Sequence, residues 1–125
     1  MKLSNFLVAK SIISLGFGIG FAVIPAVMWS IYGVTLDPTS ILMTRFMAAC
    51  LIGIGLICWT TRNEDWDTLK GITLSLCIAD TIGFIVALSG QLSGITNTLG
   101  WFNVAIWLLL ALGLGYFRFL KPGTS

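Results

Sequence analysis

Four long apolar runs, separated by short polar stretches, set the pattern of this 125-residue chain. They cover about residues 11–32, 41–59, 69–89 and 101–120. Each approaches the ~20 residues that a helix needs to cross a ~30 Å hydrocarbon core. Lipid offers the backbone no hydrogen bonds, so such runs must close their own as helices. The pattern predicts an all-α, integral membrane four-helix bundle in one transmembrane domain spanning residues 1–125. The connections leave no room for a soluble domain. "GVTLDPTS" carries the turn signal Asp37-Pro38, with Thr39 or Ser40 available to cap the next helix. "TTRNEDWDT" is the one strongly charged stretch, and "GQLSGITNTLG" is polar but uncharged.

Charge supports lipid as the solvent. Only 10% of residues are charged and 57% are hydrophobic, with a mean hydropathy of +0.98. A soluble domain carries roughly 25% charged residues. Four crossings place Lys2, Lys10, Arg62, Lys70, Arg118 and Lys121 on one side and only Arg45 on the other. This bias predicts an N-in/C-in protein of a bacterial cytoplasmic (inner) membrane, multi-pass, with both termini cytoplasmic. Trp29, Tyr32 and Trp101 are expected at the outer interface, and Trp59, Trp66, Tyr116 and Phe117 at the inner one. Lys10 interrupts the first apolar run and no clear cleavage site follows, so the first helix reads as retained rather than as a signal peptide.

Several chemistries have little to work with. The net charge of +2 is small and scattered, which excludes a nucleic-acid footprint. There is no histidine, the commonest metal ligand and general base. Cys50, Cys58 and Cys77 form no C-x-x-C pair and read as small buried hydrophobes. No metal, cofactor or catalytic residue is expected, and nothing marks the chain as an enzyme on its own.

Small residues predict where helices approach, because association in lipid depends on close packing. The third helix carries Gly71, Ser75, Ala79, Gly83 and Ala87 at every fourth position. This ladder is expected to bring a neighbouring backbone close along the whole helix. The first helix offers Gly16 and Gly20, the second Ala49 and Gly53, the fourth Ala111 and Gly115. Pro25 removes a backbone donor and is expected to kink the first helix. A faint repeat pairs "YGVT" (32–35) with "SGIT" (93–96), and "IGIGL" (52–56) with "LGLGY" (112–116). It would make the halves two parallel helical hairpins.

Arg45 and Asp80 are the charges that fall well inside the predicted segments. A charge at the bilayer centre costs about 2.5–3.5 kcal/mol on the insertion scale, so such residues face the bundle interior and pair. Rise along the helices leaves a height gap of roughly 8 Å between the two, which a long arginine side chain or one water bridges. An Arg45–Asp80 polar core is therefore expected, with Tyr32, Thr44, Asn103 and the hydroxyl of Thr81 as further partners of Asp80. Asp80 reads in three ways: as an ion pair fixing register, as a binding group for a lipid head, quinone or polar small molecule, or as a proton- or ion-coupling carboxylate.

These residues carry a resemblance. "IYGVTLDP" closes a proline-bearing first helix, and "TRFMAACLIGIGLICW" forms a second helix with an early arginine and a glycine pair. A mid-membrane aspartate follows, and "GW" opens a glycine-bearing fourth helix. The chain resembles the small bacterial four-helix membrane proteins of the DoxX-like group, most without an assigned activity. The resemblance implies, for some relatives, a place in membrane redox complexes as quinone-linked thiosulfate oxidation subunits or partners of redox enzymes. Only Arg45, Asp80 and the glycines match that pattern here. Small multidrug exporters fit less well, since their first helix needs a glutamate.

The functional expectation is an accessory or assembly subunit, or a lipid- or quinone-binding module, built on the intramembrane polar residues. The alternatives are a small oligomeric transporter coupled through Asp80 and a subunit of a quinone-linked redox complex. Expected partners are the lipid bilayer, a larger membrane complex or a homo-oligomer, and no nucleic acid.

Overall fold

A computed structural model describes residues 2–122. It is all-helical: α1 (Leu3–Val23), α2 (Pro25–Ile31), α3 (Pro38–Thr61), α4 (Trp66–Leu92) and α5 (Gly100–Gly115), which continues as a wider π-helical turn over Tyr116–Leu120. Four of these helical stretches, α1, α3, α4 and α5 with its π turn, are long and apolar enough to cross a membrane. Their apolar residues run all the way round. Ile12, Val23, Val86 and Leu109 are each about two-thirds exposed, as expected of side chains that face lipid.

The first segment differs from the expected single kinked helix. It starts at Leu3, eight residues earlier than the apolar run suggested, and Pro25 breaks it outright. Ile24 leaves helical geometry at φ −130° and ψ 59°, and Pro25 then begins α2 at the position where its missing N–H costs nothing. The next helix is capped by Asp37, not by Thr39 or Ser40. The Ser40 N–H donates to Asp37 Oδ1 at 2.7 Å, and Pro38 sits at the first helical position. Asp65 caps α4 the same way, accepting from the Thr68 N–H at 2.9 Å. These two bonds satisfy backbone donors that a helix start leaves open.

The backbones of α1 and α3 run close together, as do those of α4 and α5, while the two pairs meet mainly through side chains. Both pairs are antiparallel. A Cβ on Gly18 would press on Ala48 and Ile52, and one on Gly55 on Leu15. In the other hairpin Gly83 lies against Trp107 and Gly115 against Cys77. Phe6 and Phe117 touch across the hairpins, with ring centroids 5.6 Å apart, so the start of α1 and the end of α5 lie at one end of the bundle.

The "YGVT" and "SGIT" echoes sit at matching corners. Gly33 (φ 78°) and Gly94 (φ 77°) adopt left-handed backbone geometry. The N–H groups of Gly33 and Val34 reach back to the carbonyls of Ser30 and Trp29. Those of Gly94 and Ile95 reach back to Gln91 and Gly90. Both corners are the same Schellman close, which requires a residue tolerant of positive φ. The far ends are also tied together: Asn97 Nδ2 donates to the Ile31 carbonyl at 3.0 Å, and its backbone N–H to the Tyr32 carbonyl at 2.8 Å.

The α4 ladder is not the intramolecular seam it was expected to be. Gly71, Ser75 and Ala79 are exposed, and only Gly83 makes a close approach within the chain. Ala87 is half-buried, and Gly16 and Gly53 face open space. Gly20 meets only the flexible end of Met28, where α2 folds back. The residues that admit a neighbour are instead Gly18, Gly55, Gly83 and Gly113, the last lying under Phe6. Spacing along one helix shows which small residues share a stripe, but not which stripe the partner occupies.

Candidate functional site

The buried cation is Lys10, not Arg45. The Lys10 Nζ donates to both oxygens of Asp80, at 2.9 Å to Oδ1 and 2.8 Å to Oδ2. Both residues are 2% exposed. Lys10 belongs to α1 and Asp80 to the middle of α4, so the pair bridges the two hairpins, whose backbones seldom come close. Because α1 starts at Leu3, Lys10 lies two turns inside the helix, about 10 Å along it. Leu3, Leu7, Lys10, Ser14, Gly18 and Phe21 then form one buried stripe.

Arg45 has another role. It is exposed, and its Nε donates to the Ala22 carbonyl at 3.1 Å. That carbonyl sits next to the Pro25 break, where α1 can no longer supply its own donor. Other expected partners of Asp80 are also engaged elsewhere. Thr44 Oγ1 accepts from Trp29 Nε1 at 3.0 Å, and Thr81 donates to the Cys77 carbonyl at 2.8 Å.

Tyr32 and Asn103 do join Asp80, around a shared cavity. This cavity of about 90 Å³ is lined by Lys10, Ser14 and Asp80 at its polar base, by Phe17, Phe21, Trp29, Tyr32 and Trp107, and by Met47, Asn103 and several aliphatic side chains. Trp29 and Tyr32 therefore turn into the protein rather than anchoring an interface, and Phe117 is likewise buried, in the core at the terminal end. Trp59 and Trp101 are nearly half exposed, as residues of an interfacial belt should be. Below the ion pair, Leu3, Leu7, Cys58, Leu69, Leu76, Leu114 and Phe117 pack into a buried apolar plug at the terminal end.

The polar atoms around the cavity are incompletely paired. Lys10 uses its ammonium on Asp80 alone, which leaves one of its three N–H donors open. Among the described residues, the Ser14 hydroxyl, the Tyr32 hydroxyl and the Asn103 amide make no hydrogen bond. These four groups border one cavity and can meet polar atoms from water or a ligand there. The void is small. On a scale where an apolar cavity of about 150 Å³ holds a benzene, it takes a head group rather than a whole lipid.

Among known proteins the chain matches no family model, no curated protein and no solved structure.

Proposed function

We propose that this chain is a multi-pass protein of a bacterial cytoplasmic membrane that works as a non-enzymatic binding module for a lipid-soluble small molecule, such as a quinone or the head of a lipid. The observation that carries this reading is the Lys10–Asp80 pair at the base of an aromatic-walled cavity, with Ser14, Tyr32 and Asn103 left unpaired around it. Small-molecule sites typically combine apolar walls with a few convergent polar groups. Lys2, Arg62 and Lys121 flank the helix ends on the terminal side, and Lys70 and Arg118 lie within five residues of such ends. That bias supports cytoplasmic termini even with Lys10 removed from the count. The DoxX-like kinship belongs to the same proposal. It rests on sequence features in which Gly55, Gly113 and Asp80 make close contacts, Gly53 makes none, and Arg45 has a different role from that expected.

A specific observation also favours a second reading, that of an accessory subunit or homo-oligomer. The Gly71, Ser75 and Ala79 stripe of α4 is exposed, and small residues of that kind let another membrane helix approach. Transport coupled through Asp80 is less well supported, because Lys10 already engages both carboxylate oxygens. Purification in mild detergent with native mass spectrometry tests these readings together. The binding module predicts a co-purifying small molecule that is lost from a variant with the cavity filled, such as Ser14→Phe. A protein that carries no small molecule, and takes up none from a total lipid extract, contradicts it.

A further inference from the structure

We infer that the cavity selects an uncharged head group with a hydrogen-bond acceptor, and that it does so because the Lys10–Asp80 pair neutralises itself. This rests on the binding-module reading and specifies its ligand class. The ammonium contacts both carboxylate oxygens at 2.8 and 2.9 Å, so the base of the cavity holds two opposite charges and no excess of either. A charged ligand would leave one uncompensated charge in a bundle surrounded by lipid, where unpaired ions are strongly disfavoured. A neutral acceptor meets no such penalty. It can receive the third Lys10 N–H, or a proton from Ser14 or Asn103, without disturbing the pair.

The walls suit the rest of such a molecule. Phe17 and Trp107 offer flat apolar surface above the pair. Met47 of α3 is the one exposed residue among those lining the cavity, so the wall reaches the lipid-facing surface there, and a tail too large for about 90 Å³ can remain in the bilayer.

The test uses three probes that share a decylphenyl body and carry a neutral, an anionic or a cationic head: 4-decylacetophenone, 4-decylbenzoate and 4-decylphenyl-trimethylammonium. Each is titrated against the intact protein in lipid nanodiscs of uncharged lipid, with tryptophan fluorescence as the readout. The ketone is expected to bind at least tenfold more tightly than either charged probe. Ser14→Ala with Asn103→Leu, which keeps the ion pair, should weaken the ketone at least fivefold. Removing one half of the pair should reverse the preference: Lys10→Met should favour the ammonium probe and Asp80→Asn the benzoate. A charged probe that binds the intact protein as tightly as the ketone overturns the charge selection and leaves the binding-module reading standing. If no probe of any charge binds, both fall. The ranking on intact protein decides the matter even where a variant fails to fold.

Discussion

Lys10 and Asp80, seventy positions apart, form a two-pronged ion pair that is 2% exposed on both sides. It joins α1 to α4, the first helices of the two hairpins, whose backbones make few close contacts. The hairpins are thus held together by this pair, by the apolar plug beneath it and by the Asn97 bonds at the far end.

Arg45 should matter less than Asp80 and in a different place. Arg45→Met removes the donor to the Ala22 carbonyl, and the loss should be about 1.5 kcal/mol for one hydrogen bond from a charged group. Unfolding in detergent micelles checks this. The Asp80 variants should lose clearly more stability, and ligand binding should survive Arg45→Met.

Glycine substitutions should separate real contacts from mere spacing. A Cβ on Gly83 runs into the Trp107 ring, a wall of the cavity, so Gly83→Ala should cost about 1–3 kcal/mol of strain and disturb binding. A Cβ on Gly71 meets nothing within 4 Å. Gly71→Ala should leave the monomer's thermal midpoint unchanged or slightly raised, since alanine favours helix. If that substitution changes the oligomeric state, the exposed stripe is an interface.

Acid should weaken the helix starts. The Ser40 N–H holds the Asp37 carboxyl below the ordinary carboxylate range, and the Thr68 N–H does the same for Asp65. Both folded values lie below the unfolded ones. The stabilisation is therefore fully present above the unfolded value, near 4, and is lost as the pH falls through the folded one. Melting profiles between about pH 6 and 2 should flatten in Asp37→Asn with Asp65→Asn, because asparagine still caps but does not titrate. An unchanged slope would mean that these caps contribute nothing to the acid transition.

The four spans are legible in the sequence because lipid demands long apolar runs, and those from Ile41, Leu69 and Trp101 onward carry only one or two charges each. The corner glycines are legible too, as echoes that turn out to share one backbone geometry. The partner of Asp80 is not. A lysine read as a helix boundary hides the fact that Leu3, Leu7, Lys10 and Ser14 continue the buried stripe inward at three- and four-residue spacing. That spacing was the available signal, and it outranks charge as a guide to where a helix begins. Arg45 misleads for the opposite reason: it lies within an apolar run, but a helix break nearby gives it a carbonyl to bind. Which faces of α4 and α5 meet depends on packing between helices, which no single helix encodes.

The central claim is that Lys10 and Asp80 are one energetic unit. A double-mutant cycle with Lys10→Met, Asp80→Leu and both together, measured by reversible unfolding in bicelles, tests it most directly. Each single change strands a buried ion and should cost about 3–5 kcal/mol, whereas the double change replaces the pair with apolar groups and should recover most of that loss. Additive losses, with the double variant as unstable as the two singles summed, would show that the two residues do not act as a pair.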